Sequence, residues 1–285
     1  MADSVSASRL AFPNAKINLG LHVIQRRPDG YHEIDSLFIP VPWCDTLEVT
    51  TPAPSGSNVK LHLHGHQVAG NTRDNLVCRA HALLQKERNL PPVDFHLIKA
   101  IPTGAGLGGG SADGSFALNL LNAHFELGLS VVELEGLAAQ LGSDCPFFIR
   151  NVPARVTGRG EHISPIDLDL QGWHIAMIHP GIHVPTAQAF QWVTPQSNRP
   201  GLNEWSGSSP LDWTGQLKND FSDPVKSNHP EIQNALDHLH AAGAVYSEMS
   251  GSGSAVYGFF REEVKPDLFL GCPSHWHTWS GPAVI

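Results

Sequence analysis

Apolar and polar residues alternate with the period of a β-strand in the first part of the chain and with the period of a helix in several later stretches. The alternating stretches predict strands at 15–24, 47–51, 59–64 and 95–101. Apolar residues at helical spacing predict helices at 75–88, 112–127, 131–141 and 230–242. Ser130 and Glu133 form a capping box at the start of the third helix. Strands and helices are mixed, so the pattern predicts an α+β fold.

The pattern changes after Arg150. Residues 151–172 predict strand and turn, and 194–215 predict a long loop because the stretch is rich in Pro, Ser, Gly and Asn. Two further strands are expected on either side of Ser250-Gly-Ser-Gly-Ser254. We therefore divide the chain into an amino-terminal domain, 1–158, and a carboxyl-terminal domain, 159–285.

Composition and charge exclude several classes of protein. The chain has 285 residues, with 18 Lys and Arg against 27 Asp and Glu, which gives a net charge of −9 and argues against a nucleic-acid binder. No apolar run of about 18 residues predicts a membrane span. The stretch from Met1 to Leu10 lacks the features of a signal peptide, and the four cysteines are far apart in the sequence. We expect a reduced, cytoplasmic protein without nucleic-acid or membrane partners.

The strongest chemical signal is the segment from Pro102 to Ser111, in which five of the seven residues from Gly104 to Gly110 are glycine. It joins a predicted strand to a predicted helix, and free N–H groups at a helix start favour a bound phosphate. The alternative is a close-packed loop without a ligand. The segment lacks the lysine of a Walker A loop, and the stretch after it does not fit a dinucleotide fold or a protein kinase.

Four other positions have both a chemical and a structural interpretation. Asp144 follows a helix end and is either a buried base or a helix cap. Lys16 interrupts an apolar strand and is either functional or an ordinary solvent-facing lysine. Tyr31 and His32 follow a tight turn and form either an aromatic ligand platform or plain packing. The alternating His62, His64 and His66 are expected to face solvent, and no metal ligand can be named from the sequence.

Three segments together resemble the three motifs of the GHMP small-molecule kinases, in order and at proper spacing. They are Pro13–Leu21, Pro102–Ser111 and Ser250–Gly258. Four more segments are similar to the branch of this family that phosphorylates a cytidylyl sugar alcohol on the non-mevalonate route to isoprenoid precursors. They are Arg27–Glu33, Arg73–Leu76, Gly142–Pro146 and His179–Thr186.

The resemblance implies a two-domain GHMP kinase fold, with an ATP domain like domain 2 of ribosomal protein S5, a ferredoxin-like second domain and an active site in the cleft between them. The implied reaction is ATP-dependent phosphorylation of the 2-hydroxyl of the cytidylyl sugar alcohol, with Mg²⁺ accompanying ATP, in a monomer or weak homodimer. Asp144 would be the catalytic base and would also bind the substrate, and Lys16 would be its cationic partner.

The resemblance also implies two sets of binding residues. Those for ATP are Asn75, Leu76 and Lys99 near the adenine, with Pro102, Gly104, Ala105, Gly106, Leu107, Gly108, Gly109, Gly110 and Ser111 around the phosphates. Those for the substrate are Tyr31, His32 and Phe190 at the cytosine, with Asn18 and Thr186 lining the rest of the site.

The family's loop commonly ends in two serines, whereas this chain has Ser111-Ala112-Asp113. The second hydroxyl is missing, and Asp113 adds a negative charge to the first turn of the predicted helix. That charge suits the helix dipole but repels phosphate if it faces the ligand. Two alternatives stay open: a GHMP kinase for a mevalonate-like or homoserine-like alcohol, and a nucleotide-binding sensor without catalysis.

Overall fold

The computed structural model describes residues 8–51, 58–68 and 70–284. Most of the amino-terminal stretch considered for a signal peptide, and residues 52–57 of the turn-rich stretch after the second predicted strand, lie outside these ranges. The strands are β1 (Arg9–Ala11), β2 (Asn14–Arg26), β3 (His32–Cys44), β4 (Thr46–Thr50), β5 (Val59–Gly65), β6 (Val93–Lys99), β7 (Ala154–Gly158), β8 (His162–Pro165), β9 (His174–His179), β10 (Tyr246–Met249), β11 (Val256–Phe260) and β12 (His277–Pro282). The α-helices are α1 (Leu76–Arg88), α2 (Gly109–His124), α3 (Val131–Leu141), α4 (Cys145–Arg150), α5 (Thr186–Trp192), α6 (Pro210–Trp213), α7 (Ser222–Asn228) and α8 (Pro230–Ala241).

The chain divides into two compact units, and neither is continuous in sequence. Unit 1 consists of Met1–Asn14, Cys44–Thr103 and Gly109–Asn151, and unit 2 of Ala15–Trp43, Gly104–Gly108 and Val152–Ile285. The expected boundary between residues 158 and 159 falls inside unit 2, in the turn between β7 and β8. As a boundary between family domains it stays a prediction.

Unit 1 contains a four-stranded sheet in the order β1-β4-β6-β5 together with the helices α1 to α4. β4 runs antiparallel to β6, and β5 runs parallel to it. Alternate residues of β4 and β6, such as Val49 and Phe95, are fully buried in one core with residues of α1, α2 and α3. This alternation produces the period of two that the sequence shows.

Unit 2 contains two four-stranded sheets, ordered β2-β3-β7-β8 and β10-β11-β9-β12. Its core joins apolar residues of β9 and β11 with the inner face of α8, where Ile232, Leu236 and Leu239 recur at helical spacing. The free edge of β2 is covered by a neighbouring segment, because Leu21 N–H donates to Lys218 O and Asp220 N–H donates to Leu21 O.

Most predicted elements are present, including α1, α3 with its capping box, α8 and the two strands around 250–254. The prediction of a helix at 112–127 was wrong at both ends, because α2 begins inside the glycine run at Gly109 and ends at His124. The 194–215 stretch is not one loop, since it contains α6 and a 3-10 turn at Leu202–Trp205. Among the described residues, no helix is long and apolar enough to cross a membrane.

Candidate functional site

The glycine-rich segment 104–108 is held in unit 2 through its carbonyl groups. Three consecutive carbonyl oxygens each accept a hydrogen bond, two of them from the connection between β10 and β11 and one from β2. The bonds run from Ala255 N–H to Ala105 O (3.0 Å), from Ser250 Oγ to Gly106 O (2.9 Å) and from Lys16 N–H to Leu107 O (2.8 Å). With its carbonyls bonded to protein, this loop is suited to present N–H groups to an anion.

Gly106 has no room for a side chain. Its φ is +80°, and a Cβ atom would lie 2.2 Å from the carbonyl oxygen of Ser250. Glycine is therefore required here both by backbone conformation and by close approach. The requirement comes from packing against the Ser250–Ser254 loop, which belongs to the third segment of the family resemblance.

Helix α2 follows directly and starts in unit 1 with Gly109, Gly110 and Ser111. The N–H groups in the first turn of a helix have no partner within the helix and carry the positive end of its dipole. Pro102, before the loop, is buried. The expected succession of strand, glycine loop and helix start is therefore present, with the helix beginning three residues earlier than expected.

A cavity of about 310 Å³ lies in unit 1 beside this helix start. Four of the residues expected to bind ATP line it, namely Asn75, Leu76, Lys99 and Gly110. Its volume is at the lower end of the range for small-molecule pockets, about 300–1,000 Å³. The structure thus brings together residues that are up to 35 positions apart (75 to 110), and their role toward ATP stays a prediction.

Asn75 also has a structural role. It is the N-cap of α1, and its side-chain oxygen accepts a 3.0 Å hydrogen bond from Val77 N–H. That oxygen is committed to the cap, so a ligand in the cavity would meet the Asn75 amide NH₂ group or the backbone. The cap explains why this stretch turns into a helix at the cavity wall.

Lys99, at the end of β6, is buried between two carboxylates. Its Nζ donates to Asp45 and, over 2.7 Å, to Asp113. The side chain of Asp113 is buried and lies beyond the first turn of α2, so the expectation of a carboxylate in that first turn was wrong. Sequence reasoning missed this cluster, since Asp45 lies between two strands and is 54 positions from Lys99.

Lys16 is buried in unit 2, which overturns the interpretation of a solvent-facing lysine. Its Nζ donates a 2.6 Å hydrogen bond to Asn18 Oδ1 and lies 4.3 Å from the centre of the Phe38 ring. Asn18 in turn donates to Ser36 Oγ over 2.9 Å. A buried ammonium group held by an amide oxygen and an aromatic face is a positioned cation.

Asp144 lies in unit 1 at the N-cap position of α4, but its side chain makes no capping hydrogen bond. The alternative of a capping aspartate is therefore not supported. The residue is half-buried rather than buried. Because Lys16 belongs to unit 2, the pairing of Lys16 with Asp144 stays a prediction.

The residues expected at the cytosine lie together in unit 2. The rings of His32 and Phe190 stack at 4.5 Å between centroids with an angle of 10°. Tyr31 is 59% exposed, and the guanidinium of Arg159 lies 4.9 Å from the centre of its ring. Burial, followed by the positive charge of Arg26, lowers the pKa of His32, so its imidazole is neutral at pH 7.

Thr186, at the start of α5, is hydrogen-bonded to Ser252 Oγ over 3.0 Å.

Family models match the chain in both halves. Residues 75–151 match the model described as the GHMP kinases N terminal domain, and 206–271 match the model described as GHMP kinases C terminal. The first match spans α1 to α4, including the start of α2 and half of the residues that line the cavity.

Curated relatives decide which branch is involved. The chain is 47% identical over 254 residues to the 4-diphosphocytidyl-2-C-methyl-D-erythritol kinase of Bacteroides thetaiotaomicron, covering 89% of this chain and 93% of the relative. It is 41% identical to the enzyme of the same name from Parabacteroides distasonis, covering 95% and 98%. The chain belongs to the 4-diphosphocytidyl-2-C-methyl-D-erythritol kinase family of GHMP kinases.

Solved structures agree with this family assignment. A crystal structure of a 4-(cytidine 5'-diphospho)-2C-methyl-D-erythritol kinase matches with a TM-score of 0.76 at 31% identity, over 96% of this chain and 98% of the other. The mevalonate kinase of Methanococcus jannaschii matches with a TM-score of 0.67 at 12% identity, over 97% and 98%, which shows the shared fold alone. The expected two-domain GHMP kinase fold is thus confirmed for this member of the 4-diphosphocytidyl-2-C-methyl-D-erythritol kinase family.

Proposed function

We propose that this chain transfers the γ-phosphoryl group of ATP to the 2-hydroxyl of 4-diphosphocytidyl-2-C-methyl-D-erythritol, which gives the 2-phosphate and ADP. The supporting observation is its 41–47% identity, over most of its length, to relatives that carry this enzyme's name. The site residues add physical support: the cavity lies within unit 1, and the glycine segment 104–108 and the stacked rings of His32 and Phe190 lie within unit 2.

The ATP phosphates bind at the glycine segment and at the first turn of α2. The carbonyls of Ala105, Gly106 and Leu107 are occupied by protein donors. N–H groups and the positive end of the helix dipole are therefore available for the triphosphate. This local arrangement explains how a protein with a net charge of −9 binds an anionic nucleotide. The cavity beside Lys99 and Asn75 takes the nucleoside.

Mg²⁺ enters with ATP. Within the described ranges, no group of three or more His, Cys, Asp or Glu side chains is placed to hold a metal ion. Mg²⁺ does not need such a group when it arrives with the nucleotide. It keeps several waters and commonly takes its other ligands from substrate phosphates and one or two carboxylates. When bound, the ion neutralises charge on the transferred phosphoryl group.

Asp144 and Lys16 have different roles at the acceptor alcohol. The Asp144 carboxylate accepts the proton of the 2-hydroxyl as the oxygen attacks phosphorus. The buried Lys16 ammonium stabilises negative charge on that oxygen. Asn18 holds the Lys16 side chain in place through its 2.6 Å hydrogen bond.

The cytidine end of the substrate binds at Tyr31, His32 and Phe190. Stacking against aromatic rings supplies contact area and orientation at small entropic cost. Two rings with centroids 4.5 Å apart leave no space for a third ring, because stacking a base between them needs a separation of about 7 Å. We therefore propose that cytosine stacks on the exposed Tyr31 ring and that Phe190 swings away from His32 when the base enters.

The test is an ADP-release assay with ATP, Mg²⁺ and 4-diphosphocytidyl-2-C-methyl-D-erythritol, with mevalonate and homoserine in parallel. Turnover with the cytidylyl substrate alone is expected. Turnover with mevalonate or homoserine instead would show that the chain phosphorylates a different alcohol. ATP binding without turnover of any of the three alcohols would make it a nucleotide sensor.

A further inference from the structure

The buried cluster of Asp45, Lys99 and Asp113 has two acidic groups and one basic group. Their exposed fractions are 0%, 3% and 3%. Both carboxylates bond the same Lys99 ammonium. If both were ionised, the cluster would keep a net negative charge on almost fully buried side chains, which is unfavourable. One of the two carboxyls is therefore expected to hold a proton.

The hydrogen bonds indicate which carboxyl that is. Asp45 has partners on both oxygens, because its Oδ1 accepts from Ala100 N–H (2.7 Å) and Ile101 N–H (2.8 Å) while its Oδ2 accepts from Lys99. Asp113 uses only Oδ2, and its buried Oδ1 has no hydrogen-bond partner among the described residues. A carboxylate with several donors is stabilised as the anion, and one with a bare buried oxygen is not.

The titration properties agree with this geometry. Burial raises the pKa of Asp113 to about 8, against the opposing charge of Lys99, and the negative charge of Asp45 adds to the rise. Burial alone would lower the pKa of Lys99, but the charges of Asp113 and Asp45 outweigh it and raise that pKa, so Lys99 stays protonated. At pH 7 the cluster is therefore neutral overall.

The cluster lies against the proposed nucleotide site. Lys99 and Asp113 both line the 310 Å³ cavity. A Cβ atom on Gly109, the first residue of α2, would lie 3.4 Å from Lys99 Nζ, so the ammonium sits directly beneath the helix start. A charge gained by this cluster therefore acts at short range, and with little screening, on an anion at that helix start.

Few other groups contribute to the charge around Asp113. Lys99 comes from β6 and Asp45 from the residue before β4. From α4, the Cys145 thiol packs against α2 beside Ser115, and burial raises its pKa to about 11. From the 3-10 turn before α1, the exposed Asp74 lines the cavity. Lys99 and Cys145, whose pKa values are both raised, keep their protons between pH 7 and 9.

We propose that Asp113 is a positioning residue for ATP that acts through Lys99. As the neutral acid, it holds the ammonium beneath the first turn of α2 without adding negative charge next to the nucleotide. ATP therefore binds the form of the protein in which Asp113 carries a proton, and ionisation of this carboxyl weakens binding. The proposal rests on the proposed ATP-dependent function and concerns the same site.

The expected effect follows from one-proton linkage. If ATP binds only the protonated form and Asp113 has a pKa of about 8 in the free protein, the Kd for ATP rises about tenfold between pH 7 and pH 9. At pH 8 about half of the free protein is ionised, so binding takes up roughly half a proton per nucleotide. A residue with a purely structural role would produce neither the rise in Kd nor the proton uptake.

The experiment is isothermal titration calorimetry of the full chain with ATP and Mg²⁺, without an acceptor alcohol, at pH 7, 8 and 9. At pH 8 it is repeated in two buffers of different ionisation enthalpy to count protons. Asp113→Asn removes the titrating group and is expected to bring the ratio of Kd values at pH 9 and pH 7 close to one. Asp74→Asn makes the same change on an exposed carboxyl of the same cavity and is expected to keep the wild-type ratio.

The outcomes separate the two proposals. ATP binding with a flat pH profile in the wild type, or an unchanged profile in Asp113→Asn, overturns the role of Asp113 and leaves the kinase function standing. Absence of ATP binding at every pH overturns the proposed function itself. Proton counting on the wild type decides the matter even when Asp113→Asn does not fold, because no proton uptake at pH 8 contradicts the proposal.

Discussion

The hydroxyl of Ser250 donates a 2.9 Å hydrogen bond to the carbonyl oxygen of Gly106, although the two residues are 144 positions apart. The same hydroxyl accepts a 3.2 Å hydrogen bond from Asn18 N–H. One buried side chain of unit 2 therefore connects the strand that carries Lys16, the glycine loop and the Ser250–Ser254 loop. The three sequence motifs that carry the family resemblance meet at this hydroxyl.

We predict that Ser250→Ala raises the KM for ATP about tenfold and lowers the melting temperature. The change leaves Gly106 O and Asn18 N–H without their partner, at a cost of about 1–3 kcal/mol for a buried group, and loosens the loop. Ser254→Ala is the matched control, because that hydroxyl is also buried but donates to Ile182 O. It should lower the melting temperature and leave the KM for ATP near wild type. Equal KM effects in both variants would contradict a specific role for Ser250.

Asp144→Asn is expected to lower kcat by about 10²- to 10⁴-fold, because the amide cannot accept the hydroxyl proton. The KM for each substrate should change little. Steady-state kinetics with both substrates measure this, and a thermal melt shows whether the fold is kept, which we expect because the Asp144 side chain does not cap α4. Turnover near the wild-type rate would show that Asp144 is not the base.

Tyr31→Ala is expected to raise the KM for the cytidylyl substrate by about tenfold while the KM for ATP stays within twofold, because the exposed ring is proposed to stack on cytosine. Tyr31→Phe keeps the ring and removes only the hydroxyl, so it should behave like the wild type. Initial rates with one substrate varied at a time separate the two constants. A rise of both constants in Tyr31→Ala would argue against a cytosine platform.

Sequence patterning predicted the elements whose burial is regular. Helices α1 and α8 and strands β4 and β6 each bury one face against a core, and β5 packs Val59 and Leu61 partly against it, so their periodicity is visible in the sequence. No strand was predicted over β3, which contains Pro40 and Pro42, residues that are uncommon inside strands. Both prolines lie beyond the stretch Ile34–Phe38 that pairs with β7, so they remove no hydrogen bond from that pairing.

The site was predictable where a short run of residues has an unusual composition or order. The glycine loop and Tyr31-His32 after the tight turn are such cases; the sequence identified both as candidates, and their roles toward ligands stay predictions. The partners of Lys99 were not predictable, because ion pairing between residues 45, 99 and 113 depends on how β6, α2 and the turn before β4 pack together. No local sequence pattern predicts a contact of that kind. The burial of Lys16 was missed for the same reason, because it too depends on tertiary packing.

Asp35 is expected to be the carboxylate that matters most for the stability of unit 2. It makes a bidentate pair with Arg155, with both distances 2.8 Å, and accepts a 3.0 Å hydrogen bond from Leu202 N–H. Asp35→Ala should lower the free energy of unfolding by about 1–3 kcal/mol, because it leaves the half-buried Arg155 guanidinium and the buried N–H of Leu202 without their partner. Urea unfolding measures the loss. Glu135→Ala breaks the exposed bidentate pair with Arg150 and should cost much less; equal losses would contradict the argument from burial.

Asp113 should also make stability depend on pH in the absence of any ligand. Its pKa is raised from 3.8 to about 8 in the folded protein, chiefly by burial. Between these values the folded state holds a proton that the unfolded state has lost, so stability falls as pH rises from 4 to 8 and is constant above that. The slope is at most about 1.4 kcal/mol per pH unit. Urea unfolding at pH 5, 6, 7 and 8 should show this decline in the wild type and a shallower one in Asp113→Asn, whose amide does not titrate. Parallel pH profiles in the two proteins would mean that Asp113 is ionised in the fold, and the neutral cluster beneath α2 would have to be abandoned.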